Sequence, residues 1–382
     1  LSGSRTLTTN YAIPVASLRV LGIMTNTPAV DAYRGAGRPE ANYVMERLMD
    51  HIAEHVGIDR VEVRRRNLIR ADQIPFTMVC GGTVDGGEMP ELMEAALSRA
   101  DMAGFAARRA ESERKGRLRG FGFGMYLEQC GGGTDGGVDV RFREDGTILV
   151  LAAQQENGQG HRTTLTQILS DRLGFDADKI EIFQGDSAIT PPGTTGGARM
   201  TPILGSAVAE VAAKTIDTAR PHAAEALECA EEEVIFADGV FSSANTNHSI
   251  TIEDLALRLV PDNGAHPFDI KHQYETDGAT YPYGCHVVEL EVDPGTCKVD
   301  LLRYTVVDDF GAVINPMTLE GQVHGGIAQG IGQAIYEYAA FDDQGQLVAG
   351  SLMDYTLPRA DDLPRFDISF RNIPCKLSLI HI

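Results

Sequence analysis

The sequence predicts an α+β protein built from mixed or antiparallel sheets with packed helices. Two observations carry this expectation. Alternating apolar residues flank tight turns at Asp145-Gly146, Asp238-Gly239 and Asp293-Pro294-Gly295, as β-hairpins require. Other stretches place apolar residues at helical spacing, most clearly between Pro39 and Gly57.

In that first helix Val44, Met45, Leu48, Met49, Ile52 and Val56 recur at helical intervals. Pro39 suits a first turn and Gly57 a terminus. Residues 89 to 114 hold another helical pattern. It ends in the mixed-sign charge run Arg108 to Lys115, read as a solvated face or a linker. A domain boundary is expected near Gly116, dividing the chain into residues 1–115 and 116–382. Val138, Val140 and Phe142 then lead into one hairpin turn, and Ile148 and Val150 lead away. The glycine turn Glu156 to His161 follows, before a helix carrying Leu165, Ile168, Leu169 and Leu173. Residues 206 to 280 read as an alanine-rich helix, a hairpin and a short helix at Ile252 to Leu259. The third hairpin leads to Gly321-Gln322-Val323-His324, expected to begin another helix. Hairpin, G-Q-x-H and helix thus occur twice, by chance or by duplication.

The 382 residues are 43% hydrophobic, with 33 basic and 54 acidic side chains and a net charge of −21. That charge opposes nonspecific binding to nucleic acid or an anionic membrane. No apolar run approaches the roughly 20 residues that span a bilayer. Six cysteines (80, 130, 229, 285, 297 and 375) include no C-x-x-C pair, which argues against a disulfide framework, zinc or an iron–sulfur cluster. Reduced thiols in a cytoplasmic protein are expected. The chain opens on Leu1 as though inside a domain and closes on Lys376 to Ile382 without a capped element, so a fragment of a longer protein is also expected.

Four segments could carry chemistry. In DAYRGAGRPEA, residues 31–41, Arg34 stands beside Gly35-Ala36-Gly37, to hold an anion or to brace a loop. Gly158-Gln159-Gly160-His161 sits where a strand gives way to a helix, whose free amide N–H groups favour an anion. Its bland reading is a turn whose Gln and His cap the backbone. Pro191 to Arg199 combines a rigid entry, two glycines whose amides can converge on an anion, and the donors Thr194, Thr195 and Arg199. Gly321 to Gly332 holds five glycines in a helical stretch, which suggests close packing on a backbone or a ligand. Asp308-Asp309 reads as a strand-end turn rather than a metal site. No G-x-S-x-G, Walker loop or H-E-x-x-H occurs. Donor-rich loops without a resident nucleophile or acid–base pair favour a large phosphorylated cofactor that performs the hard chemistry.

Together these segments resemble the molybdenum-binding large subunit of the xanthine dehydrogenase, aldehyde oxidase and carbon monoxide dehydrogenase family. The matching segments are AYRGAGRPEA, ERLMDHIAEHVGIDRVEVRRRNLI, ENGQGH, GDS with PPGTTGGAR, and INPMTLEGQVHGGIAQGIGQAI with DYTLPRADDLP. The resemblance implies the molybdopterin-binding fold of that subunit, residues 1–115 being the end of a first cofactor domain and 116–382 most of a second. It implies that Gly158, Gln159, Gly160, His161, Thr194, Thr195, Gly196, Gly197, Arg199, Gln322 and His324 cradle the pyrophosphate and pterin of molybdopterin, in bacteria usually the cytosine dinucleotide. Arg34, Gly35, Ala36 and Gln322 would face the reacting centre, with no side chain ligating molybdenum directly. The family hydroxylates a C–H bond of an aldehyde or N-heterocycle with oxygen from water. Electrons leave through iron–sulfur and FAD subunits in a dimer of heterotrimers.

Several departures narrow the reading. Carbon monoxide-oxidising members carry cysteine at the Gly35 position, and xanthine-type members a bulky aromatic at the Ala36 position. Relatives often have Gly at Thr194 and Ser at Ala198. The family's general base is a glutamate in a G-x-G-E turn, which this sequence lacks, as it lacks the N-terminal glycine-rich loop on the cofactor's other side. The 382 residues alone are therefore expected not to turn over. Two other readings remain: a non-catalytic cofactor-binding or assembly module, and an unrelated nucleotide-binding protein.

Overall fold

The computed structural model describes residues 2–131, 136–276 and 278–374. The tail from Cys375, including the approach to the missing G-x-G-E turn, lies outside the described residues. The chain forms two compact units interleaved in sequence. One gathers Leu1–Gln129, Tyr281–Gly311 and the run from Pro316; the other gathers Cys130–Thr280 and Ala312–Asn315.

The first unit is built on a four-stranded sheet in the order Phe366–Arg371, Val299–Asp309, Tyr283–Val292, Leu118–Leu127. The two central strands are the hairpin expected around Asp293-Pro294-Gly295, paired from Tyr283↔Asp309 to Val292↔Val299. Only the outer pairing, Tyr304↔Phe366 to Asp309↔Arg371, is parallel. Successive residues face opposite sides of a strand. Val306 accordingly joins Val323, Ile327 and Ile331 of the Pro316–Ile331 helix in a small core. The Met89–Arg99 helix, with Leu92, Met93 and Ala96 buried, packs on the two central strands. The helical pattern of residues 89–114 is two helices, Met89–Arg99 and Phe105–Arg114, because Asp101 takes a left-handed φ of 51° between them.

The charge run does more than face water. Arg108 reaches the buried Glu289 (2.6 Å), which also receives Arg119 (2.7 Å) and Arg303 (3.3 Å). Only the later charges pair along the helix surface, as Arg109 does with Glu113.

The expected first helix spans Arg38–Val56. It is tied to the Arg60–Asn67 helix by a fully buried arginine. Arg64 contacts Glu46 and Asp50, both at 2.9 Å, and donates to the Arg60 and Glu46 carbonyls. Tyr11 donates its hydroxyl to Glu46. Burial pushes the Glu46 carboxyl above its ordinary range, against the pull of Arg64.

The second unit holds the sheet Ile270–Tyr274, Gly136–Phe142, Ile148–Ala152, Ile180–Gln184. The first three strands are antiparallel, and Asp145-Gly146 closes the expected hairpin with Gly146 at φ 78°. Ile148–Ala152 and Ile180–Gln184 are parallel, so a crossover must link them. That crossover is the His161–Leu173 helix, which buries Leu165, Ile168, Leu169 and Leu173 as its spacing predicts. The alanine-rich helix Ser206–Leu227 and the short Ile252–Arg258 helix complete this core. The Asp238-Gly239 hairpin joins Val234–Ala237 to Val240–Ser243.

Removing one member of a buried ion pair strands the other charge away from water, at about 3–5 kcal/mol. Arg64→Ala is therefore expected to lower stability by about that amount in urea titrations. Arg64→Met combined with Glu46→Gln is expected to recover part of the loss.

Candidate cofactor site

The arginine loop is shaped by three consecutive residues at positive φ: Gly35 (97°), Ala36 (45°) and Gly37 (96°). Ala36 donates its N–H to the Tyr33 carbonyl (2.7 Å), and Arg38 to that of Gly35 (3.1 Å). A Cβ on Gly35 would stand 2.5 Å from the ring carbons of Pro39, so no side chain fits there while the loop keeps this form. Gly3 lies directly against the Gly37 carbonyl and braces the loop from below.

The two arginines of this loop divide the work. Arg38, 8% exposed, contacts Glu128 through both Nε and Nη2 at 2.6 Å. Arg34 is exposed and reaches the Pro316–Ile331 helix. Its Nη2 donates to the backbone carbonyl of Gln322 (3.1 Å) and to the side-chain Oε1 of Gln322 (3.2 Å). With its oxygen engaged, the Gln322 amide has its N–H groups left to offer a ligand.

The helix itself corrects one expectation. Gly321-Gln322-Val323-His324 does not open the helix but lies inside it, because the helix begins at Pro316, which suits a first position. Residues two apart on a helix point to well-separated directions. Gln322 meets Arg34, whereas His324 lies against the Phe366 ring (5.1 Å between centroids) and 3.7 Å from Glu320. The glycines serve different ends. Gly325 and Gly326 line the Arg34 guanidinium, and Gly332 is closed in by Glu337 and Pro358. Gly321 and Gly330 face open space.

In the second unit, the strand Ile148–Ala152 runs into Ala153 and Gln154, both buried, and then the glycine turn. Gly158 and Gly160 take φ of 95° and 82°. His161 is the first helical residue, as expected. Gln159 turns back to accept the Asn157 N–H (2.5 Å), while Glu156 pairs with Arg162 (3.1 Å). No side chain caps this helix start. Its first amide N–H groups are therefore available to an anion. His161 is 8% exposed with Nδ1 unpartnered. Burial holds its pKa below the ordinary histidine value, with Glu156 pulling the other way. Gln154, 1% exposed, has an unpartnered Oε1.

The Thr194–Arg199 loop rests on the same strand end. A Cβ on Gly193 would stand 2.9 Å from the Ala153 side chain, so glycine lets the loop settle there. Thr195 donates its hydroxyl to the Gln155 carbonyl (2.6 Å). Arg199 donates to Gly196 (2.7 Å), and Gly197 accepts from Gly131 (3.1 Å). Thr194 and Gly196 are exposed. A π-helical turn, Thr201–Gly205, then leads into Ser206–Leu227. The predicted residues thus fall into two groups. Arg34, Gly35, Ala36, Gln322 and His324 belong to the first unit, and the glycine and threonine loops to the second.

Comparison with known proteins identifies the family. Residues 2–68 and 95–364 each match a molybdopterin cofactor-binding domain. The chain belongs to the molybdopterin-binding large-subunit family of molybdenum hydroxylases. It is 33% identical to the carbon monoxide dehydrogenase large chain of Hydrogenophaga pseudoflava, over 94% of this chain and 47% of that one. It is 30% identical to the nicotine 6-hydroxylase large subunit of Paenarthrobacter nicotinovorans, over 95% of this chain and 47% of the relative. The crystal structure of quinoline 2-oxidoreductase from Pseudomonas putida 86 superposes with a TM-score of 0.91 at 28% identity, covering 98% of this chain and 50% of that one. The chain therefore spans about half the length of these relatives.

The residues present suit the family's cofactor. An uncapped helix start, glycine amides and a loop arginine match a pyrophosphate, and two buried atoms without a hydrogen-bond partner, Gln154 Oε1 and His161 Nδ1, flank the glycine turn in sequence. Among the described residues, no cluster of His, Cys, Asp or Glu is placed to hold a metal ion, and no helix is long and apolar enough to cross a membrane. Sequence reasoning missed Gln154, Gln155, Glu128 and the Pro39 ring. Their parts are set by folding, and no local pattern marks them.

Two outcomes test this geometry. Gly35→Ala is expected to cost about 1–3 kcal/mol, from backbone strain and the Pro39 ring together, with part recovered by Pro39→Ala in urea titrations. For His161, the unfolded chain binds a proton near pH 6.5 while the buried ring resists it. Its stabilising effect is then full above about pH 6.5 and falls as pH drops below that value. The difference in urea midpoint between wild type and His161→Gln should shrink between pH 7.5 and pH 5.5.

Proposed function

We propose that this chain is the cofactor-binding part of a molybdenum hydroxylase that hydroxylates a C–H bond of an aldehyde or N-heterocycle with oxygen from water. The observation that carries the reading is the Arg34–Gly37 turn. It keeps Arg34 on Gln322, excludes any side chain at position 35, and places only a methyl group at position 36. Carbon monoxide chemistry would ask for a thiol at position 35, and purine stacking for a ring at position 36. Neither is present.

When bound, the molybdenum cofactor supplies the two-electron oxidation. The chain's own residues bind and orient. The glycine turn and helix start at Gly158–His161 and the Thr194–Arg199 loop hold the pyrophosphate. Gln322, steadied by Arg34, donates toward the ligand, and Ala36 leaves room for substrate. The cofactor is taken as the cytosine dinucleotide form, with residues 1–115 and 116–382 contributing to two cofactor domains. Names such as "large chain" and "large subunit" among the relatives support partner subunits; on this reading those partners carry the iron–sulfur clusters and FAD, in a cytoplasmic dimer of heterotrimers. No G-x-G-E turn occurs among these 382 residues to supply the family's general base.

The test is the full-length subunit purified with its partner subunits. Molybdenum measured by mass spectrometry and CMP released by acid hydrolysis are expected in equal amounts. Gly193→Val should lower both at least about tenfold. Metal with a different nucleotide would overturn the dinucleotide assignment, and neither metal nor nucleotide would favour a non-catalytic module.

A further inference from the structure

Five of the chain's six lysines lie among the described residues, and four of these pair with a carboxylate. Lys115 meets Glu111 (3.0 Å), Lys179 meets Glu253 (2.5 Å), Lys271 meets Asp139 (3.5 Å) and Lys298 meets Asp300 (2.7 Å). A carboxylate partner favours the charged ammonium, and it pushes Lys179 and Lys298 above the ordinary lysine pKa. Lys214 differs. Its Nζ lies 2.9 Å from Nδ1 of His272, and Nε2 of the same ring lies 2.5 Å from Oε2 of Glu210.

Local structure brings these three residues of the second unit together. Glu210 and Lys214 stand four apart in the Ser206–Leu227 helix and so share a face. His272 is the middle residue of Ile270–Tyr274, the outermost strand of the sheet, opposite Val138. Ile270 and Tyr274 occupy the same side of that strand and pack against the core the helix helps to build. The imidazole therefore turns toward the helix. It is 14% exposed, whereas Lys214 is open to solvent. The two contacts also fix the tautomer. An ammonium only donates, so Nδ1 accepts and carries no proton. Nε2 then holds the proton and donates it to Glu210, which orients the ring.

A nucleophile within hydrogen-bond reach of a base, with that base held by a third group, is the arrangement that activates nucleophiles. Here the nucleophile is an amine. We propose that Lys214 is a site of acylation by thioesters, with His272 as its base and Glu210 orienting His272. Lys214 first releases one proton to solvent. Its free amine then attacks the thioester carbonyl, forming the C–N bond. As the C–S bond breaks, His272 Nδ1 takes the second proton from the nitrogen and passes it to the departing thiolate. The products are a neutral amide on Lys214 and a free thiol, with no change of oxidation state. His272 and Glu210 return to their starting forms. None of the three residues belongs to the cofactor loops, so the acylation does not depend on the reaction proposed above.

The test is a time course of the full-length subunit with acetyl-coenzyme A at about pH 8, without an acetyltransferase, followed by peptide mass spectrometry. Lys214 is expected to be acetylated at least about tenfold faster than Lys115, Lys179, Lys271 or Lys298. His272→Gln keeps an amide that can bond Lys214 but takes no proton, and should abolish that excess. Glu210→Gln, which leaves the base in place without its anchor, should remove most of it. The other four lysines report folding, because their rates should match those of the wild type in both variants. Lys214 reacting no faster than those four overturns the proposal. An excess that survives either substitution overturns it as well.

Discussion

The join between the first turn of the Arg38–Val56 helix and the end of the Leu118–Leu127 strand is the constraint on which the arginine loop depends. Asn42 donates to the Leu127 carbonyl (3.3 Å) and accepts the Leu127 N–H (3.1 Å), as a neighbouring strand would. One turn earlier, Arg38 closes on Glu128. Burial raises the Glu128 pKa and the neighbouring Arg38 opposes that rise, in a place where either partner left alone would be a costly buried charge. With the helix start immobilised, the preceding four residues have little freedom. Their three positive-φ positions follow from having to reverse direction in so short a distance.

Much of this architecture was legible from residue patterns. The three hairpins stand where Asp145-Gly146, Asp238-Gly239 and Asp293-Pro294-Gly295 place them, since each turn depends on its own few residues. The His161–Leu173 helix was equally plain, because its glycine start and apolar spacing agree. Two boundaries were not. The helix carrying Gln322 begins at Pro316, and glycine abundance drew attention to its middle rather than to the proline that starts it. The stretch 89–114 is interrupted at Asp101, where an ordinary residue takes a left-handed conformation with no local signal.

Within the site, sequence showed which residues to watch but not what each one touches. Arg34 and Gln322 are 288 positions apart, and nothing near either one announces the other. Arg38 looks like Arg34 in the sequence, yet it is buried as a brace while Arg34 remains outside. Gly193 also needed the fold to explain it. Its role comes from the Ala153 strand end beneath it, which only the sheet brings near. Arg108 was hidden in a different way, as one anchor within a run of otherwise surface charges.

The contact between Gly35 and the Pro39 ring has a historical side. The free energy of a change at 35 depends on the residue at 39, because a side chain arriving at 35 meets the Pro39 ring while the loop keeps this form. A lineage moving from this loop toward a thiol-bearing one would lose least stability by changing 39 first or together with 35, and the reverse path by restoring glycine first. One turn of backbone thus favours one order of substitutions over the other.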